Sequence, residues 1–317
     1  MPRESDRAYE EDLILMSVLR STERVMLGGH LLAMLFGLAG LILVLPNQAF
    51  ITSLPPVGQS ALSWSMAGGG VVYMLMGAAA VFLYACRTLG LWHCAGFLVP
   101  AVALSLGSEL LGTSTGFPFG DYRYLSGLGY KIAGLVPFTI PLSWFYVGFA
   151  AYLLARAALS ARGVCGWRQV AGAIAIGSLL LTAWDLVLDP AMSQTAVPFW
   201  VWDRPGAFFG MPYQNFLGWA GTGALFMLVS SLLWLKKPVR FPYDQLGLPL
   251  AIYLGNLLFG IALSLAAGLW QPVLLSTVLA LIPAIALYLL ASSPGSDLPN
   301  DSGTSMLSVA SMGVLHK

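Results

Sequence analysis

Eight apolar stretches, each about 20 residues long and so able to cross the roughly 30 Å hydrocarbon core of a bilayer as a helix, dominate this sequence. They lie near Val25–Leu45, Trp64–Tyr84, Leu91–Leu111, Gly134–Ala155, Val170–Leu188, Phe216–Leu235, Leu248–Gly268 and Pro272–Ala291. Backbone in lipid must satisfy its own hydrogen bonds, and runs of this length do so as helices. Composition agrees. Hydrophobic residues make up 58% and charged residues 9% of the chain, against about 25% charged in a soluble domain. The expected fold is therefore all-α, a polytopic integral membrane helical bundle of about eight transmembrane helices. Pro100 makes the third span kinkable, and Pro137 and Pro141 interrupt the fourth. A net charge of +1 supplies no field for binding nucleic acid.

An even number of spans places both termini on one side. That side then collects Arg3, Arg7, Arg20, Arg24, Arg87, Arg156, Arg162, Arg168, Lys236, Lys237, Arg240 and Lys317, leaving Arg123, Lys131 and Arg204 opposite. Positive residues mark the cytoplasmic side, so both termini are expected to be cytoplasmic, in a multi-pass protein of the bacterial cytoplasmic membrane. Residues 1–24 read as a charged cytoplasmic tail, 25–291 as the transmembrane catalytic domain, and 292–317, rich in Ser, Gly and Pro, as a disordered cytoplasmic tail. The acidic start lacks the basic region of a signal peptide, so the first span is expected to be retained as an anchor.

Cys86, Cys94 and Cys165 form no CxxC or zinc spacing, and His30, His93 and His316 are too few for a multi-histidine iron site. His30 and His93 are expected to be ordinary interface residues near the cytoplasmic face. Gly127 and Gly129 do not complete a dinucleotide-binding GxGxxG. No cofactor is expected, and any chemistry falls to acids, bases, water or Mg2+.

Nine of the fourteen acids lie in the tails or the basic loops. The other five, Glu109, Asp121, Asp185, Asp189 and Asp203, all map to the opposite half. An ionisable residue in a span is costly and marks function by default. Asp185 and Asp189 are four residues apart, so they project from one helix face about 6 Å apart along the axis. Flanked by Trp184, Leu186, Val187 and Leu188, two such carboxyls cannot both ionise cheaply, and one is expected to keep its proton. Asp203 beside Arg204 reads as a solvated pair. Phe199, Trp200, Trp202, Phe208, Phe209, Tyr213, Phe216 and Trp219 follow in one short segment. Each ring alone suits an interfacial belt; together, beside paired acids, they suit a pocket for a long apolar ligand, where ring faces stabilise a cation by roughly 1–2 kcal/mol each. The glycine-rich segment 112–131 is expected to fold back compactly, bringing Asp121 and Arg123 to the same side.

Longer motifs run through this half of the chain. They are Phe119-Gly-Asp-Tyr-Arg-Tyr-Leu-Ser-Gly-Leu-Gly129, Val136-Pro137 with Ile140-Pro-Leu-Ser-Trp144, Ala183-Trp-Asp-Leu-Val-Leu-Asp-Pro-Ala-Met192, Phe199-Trp-Val-Trp202, Phe209-Gly-Met-Pro212 and Asn215-Phe-Leu-Gly-Trp219. Together they resemble the CruF-type carotenoid biosynthesis proteins, membrane-embedded carotenoid 1,2-hydratases, most densely over residues 105–220. The resemblance implies addition of water to the terminal C1=C2 bond of an acyclic (psi) carotenoid end, of the gamma-carotene, lycopene or bacterioruberin-precursor type. It implies no metal or organic cofactor. The expected partners are a carotenoid within the bilayer and water, with other carotenoid-pathway enzymes as further contacts.

Hydrating such an alkene needs a proton donor, shelter for a tertiary cation, and a base that holds water. Asp185 and Asp189 are assigned jointly as the acid/base pair, with neither role allotted to one of them. Glu109 and Asp121 are candidates for placing water and returning the proton, oriented by Arg123 and Asn215. Trp184, Trp200, Trp202 and Tyr213 are candidates for the pocket wall, joined by Tyr122 and Trp144 from the family motifs. Two rival readings use the same acids. A Mg2+-dependent intramembrane prenyltransferase, acting on carotenoid or isoprenoid substrates, would use the Asp185-x-x-x-Asp189 spacing, but a second Asp-rich cluster is missing. A proton-coupled transporter would keep buried acids too, but no inverted repeat is evident.

Overall fold

The computed structural model describes residues 4–195, 197–237, 239 and 241–293. The expected C-terminal tail from residue 294 onward lies outside them, as do Arg3, Arg240 and Lys317. Among the described residues ten α-helices run in order: α1 (Glu4–Ala39), α2 (Gln48–Ser53), α3 (Pro56–Leu89), α4 (Leu91–Thr115), α5 (Thr139–Ala161), α6 (Gly166–Gln194), α7 (Tyr213–Trp234), α8 (Gly247–Ala266), α9 (Trp270–Ser276) and α10 (Ile282–Ser292). Five-residue π segments, Gly40–Val44 and Thr277–Leu281, extend α1 and join α9 to α10. Eight helical stretches among these residues, from Leu13–Val44 to Trp270–Ser292, are long and apolar enough to cross a membrane. The protein is a multi-pass helical membrane bundle.

The axis is α5. Its most apolar window is 89% buried, against 11% in the first span and 17% in the last, so α5 is walled by protein while those two face the surroundings. Helices α3, α4, α6, α8 and α10 pack around it. Between helices in lipid, hydroxyl-to-carbonyl bonds add to packing. Two such bonds pin the working stretch of α6: Ser276 donates to the Ala183 carbonyl at 2.9 Å and Ser264 to the Val187 carbonyl at 2.7 Å.

Three span boundaries shift in ways that bear on the site or its neighbours. Helix α1 starts at Glu4, so the charged segment continues the first span's helix. The fourth span starts at Thr139 rather than Gly134, because residues 131–137 form a hairpin, β2 (Lys131–Ile132) against β3 (Val136–Pro137). Pro137 therefore belongs to a strand. Pro141 sits in the first turn of α5, where its missing N–H costs little. The fifth span passes through Pro190 and continues to Gln194, which places Asp189 inside the helix rather than at its end.

Segment 112–131 does more than fold back. Its strand β1 (Tyr122–Tyr124) pairs antiparallel with β4 (Trp200–Trp202), in the register Tyr122↔Trp202, Arg123↔Val201 and Tyr124↔Trp200. The two long loops thus form one ribbon capping the bundle. Phe119 wedges that cap between α4 and α7: a Cβ on Gly218 would lie 2.4 Å from its ring, and one on Gly112 2.7 Å. Gly218→Ala should therefore overpack the joint and cost about 1–3 kcal/mol, read as a lower thermal midpoint of the detergent-solubilised protein; an unchanged midpoint would show the wedge to be loose.

His30 is also not at an interface. It is fully buried, with Nδ1 2.7 Å from the Tyr73 carbonyl and Nε2 3.1 Å from Asn256 Nδ2. The bare backbone of Gly77 lets the ring nest there, since a Cβ would meet it at 2.8 Å. A carbonyl only accepts, so Nδ1 carries the proton and Nε2 accepts from the amide. The ring is a neutral tie between α1, α3 and α8.

Candidate active site

One helical turn of α6 carries two carboxyls into the interior, Asp185 at 1% exposure and Asp189 at 4%. The last turns of α4 bring Glu109, and the first turn of α7 brings Asn215, both buried. The Asn215 amide bridges the pair. Its Nδ2 donates to Asp185 Oδ2 at 2.7 Å and to Asp189 Oδ2 at 3.0 Å.

The ribbon supplies the remaining donors. In a strand, residues two apart share a face, so Trp200 and Trp202 point inward together, and both indole N–H groups donate to Asp189 Oδ1 at 2.9 Å. From β1, Tyr122 and Tyr124 point inward in the same way and both donate to Glu109 Oε2, Tyr124 at 2.9 Å. Trp144 of α5 donates to Glu109 Oε1 at 3.0 Å. Burial, and after it the nearby Glu109 charge, pushes both tyrosine hydroxyls well above their usual range. They stay protonated at neutral pH and act as donors.

These contacts make the three carboxyls unequal. An indole or amide N–H can only donate, so Asp189 accepts through both oxygens, and Glu109 accepts from Trp144 on Oε1 and meets the two tyrosine hydroxyls on Oε2; each carboxyl has three partners. Asp185 receives only the Asn215 amide, on Oδ2. Among the described residues nothing donates to its Oδ1, and Asp185 lines the cavity.

That cavity, about 50 Å³ in volume, is bounded by all three carboxyls and Asn215. Its remaining wall is largely aromatic. Trp144 stacks on Trp219 at 4.0 Å between centroids, and Trp184 meets Trp219 edge-on at 5.6 Å. Tyr73, Phe119, Tyr122, Tyr124, Trp200 and Trp202 close it. The arrangement offers one carboxyl with an oxygen free of donors, two carboxyls held by several donors, and several π faces in one small space. Such a set can protonate an apolar substrate and shelter the resulting cation.

Of the residues singled out in the sequence, Asp185, Asp189, Glu109, Trp184, Trp200, Trp202, Asn215, Tyr122, Trp144 and, from the aromatic segment, Trp219 line this cavity, whereas Phe199, Phe208, Phe209 and Phe216 do not. Three residues given a role in the site also lie outside it. Arg123 falls on the outer face of β1, between the two inward tyrosines, and pairs with Asp203; it orients no carboxyl of the cavity. Asp121 turns outward into a 3.1 Å ion pair with Arg204, so the expected Asp203–Arg204 pair is replaced by two crossed pairs over the ribbon. Tyr213 is 63% exposed and packs on Phe208 and Phe216. Conversely, Tyr124, Tyr73 and Phe119 line the cavity without a role in the sequence reading. Once Tyr122–Tyr124 is known to be a strand, its two-residue period accounts for the first of them.

Among the described residues no three His, Cys, Asp or Glu side chains converge as metal ligands. Comparison with known proteins adds two matches. The family model described as carotenoid biosynthesis protein matches residues 69–283. A bisanhydrobacterioruberin hydratase of Haloarcula japonica is 34% identical over 155 residues, 49% of this chain and 47% of the relative. The chain thus spans about half the length of the curated relative it matches. No solved structure matches.

Proposed function

The chain belongs to the carotenoid biosynthesis protein family, and on that footing we propose that it is a carotenoid 1,2-hydratase, a cofactor-independent hydro-lyase that adds water across the terminal C1=C2 bond of a psi end of gamma-carotene or lycopene type. The observation that carries this reading is the convergence of Asp185, Asp189 and Glu109 in one aromatic cavity with unequal hydrogen bonding. A relative named as a hydratase supports the same reaction class.

In the mechanism, the Asp185 carboxyl gives its proton from Oδ1 to C2, whose π electrons form the new C–H bond. The tertiary cation left at C1 lies among the indole rings, each stabilising it by roughly 1–2 kcal/mol when desolvated. Water adds through oxygen to C1, and the proton it sheds passes to an anchored carboxylate, Asp189 or Glu109. The cycle closes when that proton returns to Asp185 Oδ1 across the cavity, with Asn215 holding the two aspartates side by side. A C40 polyene is about as long as the hydrocarbon core is thick, roughly 30 Å. A carotenoid upright among the helices therefore presents one end group at the capped end of the bundle. By the arginine and lysine distribution, that end faces away from the cytoplasm.

The rival readings fit this geometry less well. Both Asp189 oxygens already accept N–H groups, which would compete with a Mg2+ ion, and a transporter site is expected at the bilayer midplane rather than under one cap. The test is the source of oxygen. Purified protein given a psi-end carotenoid in 18O-labelled water should form a tertiary alcohol carrying the label; label arriving from O2 instead would overturn hydration.

A further inference from the structure

A second cavity adjoins the first. It holds about 360 Å³ outside the ribbon and is lined by Thr113, Ser114, Asp121, Asp203, Arg204 and the bare backbone of Gly112 and Gly116. It opens to the surface and has room for several waters. Its walls carry hydroxyls, carboxylates and a guanidinium, the reverse of the aromatic cavity. Glycine keeps it open: a Cβ on Gly116 would lie 2.3 Å from Asp121 Oδ1. Tyr122 lines both cavities. It is the residue the two have in common, with its hydroxyl on Glu109 and its ring 5.3 Å from that of Trp202.

The inner cavity is small, and apart from its carboxyls, Asn215, Ser143 and the tyrosine hydroxyls it is walled by rings and apolar side chains, so it stores little water. Hydration nevertheless consumes one water per turnover, delivered beside Glu109. We propose that the outer polar cavity is the water vestibule of the enzyme, and that co-substrate water passes from it to the carboxyl cavity at Tyr122. This inference rests on the hydration reading and names the route by which its second substrate arrives. It also gives Asp121 and Arg204 a place, as an ion pair that holds the mouth of the vestibule rather than as part of the chemistry.

The test uses Ser114, an exposed residue of the vestibule wall that takes no part in the carboxyl cavity. Ser114→Cys in the full chain is labelled with a biotin-bearing methanethiosulfonate, and the wild type, whose exposed Cys165 lies in the turn before α6 at the other end of the helices, is labelled in parallel. The labelled variant should keep its bound carotenoid, read by visible absorption, while hydration slows at least about tenfold, as expected when a substrate route is blocked, and recovers on reduction of the mixed disulfide. Labelled wild type should be unaffected. Complete labelling of Ser114→Cys with an unchanged rate would overturn the vestibule and leave the hydratase reading standing, and slowing only on Cys165 labelling would move water entry to the opposite end. No hydrated product from the unlabelled protein would sink the hydratase reading, and this inference with it.

Discussion

Asp185→Asn is expected to slow hydration by about 100- to 10,000-fold, the range a single positioned proton donor supplies, while the protein still inserts in the membrane and still holds carotenoid. The shape is conserved. The oxygen of the introduced amide can accept from Asn215 as Asp185 Oδ2 does now, leaving an N–H2 group toward the cavity in place of an acidic proton. The pocket therefore survives and the acid does not. The readout is the rate of alcohol formation at saturating carotenoid, with carotenoid retention as the control. A variant within a fewfold of wild type would remove Asp185 from the acid role and turn attention to Asp189.

Substitution at Glu109 should separate stability from chemistry. Glu109→Ala strands the Trp144 indole N–H and the hydroxyls of Tyr122 and Tyr124 in a buried site, at about 1–3 kcal/mol for each donor left unpaired. The solubilised protein should melt at a clearly lower temperature or fail to accumulate. Glu109→Gln should fold, because its oxygen can accept from Trp144 while the tyrosine hydroxyls, which can also accept, turn to meet its amide. What it loses is a carboxyl able to take the proton that water sheds, which should lower the rate on the order of 100-fold. Full activity in Glu109→Gln would show that the carboxylate anchors the ribbon and takes no part in the reaction.

Much of this site was legible in the residues because it rests on helix periodicity. Asp185 and Asp189 were readable as a pair from their spacing alone, and span length with the lysine and arginine distribution set the topology in which Glu109 falls at the same end. Helix continuation through Pro190 was not readable, since proline is an ordinary stop signal and what sustains α6 there is tertiary support from α8 and α9. The ribbon was less legible still. Strands of three residues are too short to display an alternation, and β1 and β4 are joined across two transmembrane helices. Without that pairing, Asp121 and Arg123 looked equivalent to their neighbours. With it, the two-residue period turns Tyr122 and Tyr124 in and Arg123 out, so the inward hydroxyls meet the cavity and the outward charges do not. Tyr213 was misplaced for a related reason: aromatic residues gathered in one segment line a pocket only where the backbone turns them to it, and the first turn of α7 turns Asn215 inward and Tyr213 outward.

The central claim is that a buried carboxyl protonates the terminal alkene, and the most direct measurement of it is the fate of solvent hydrogen. Turnover in heavy water should place one non-exchangeable deuterium on C2, next to the new carbinol carbon, and Asp185→Asn should abolish that incorporation together with the product. An alcohol formed at the wild-type rate with no deuterium at C2 would contradict it.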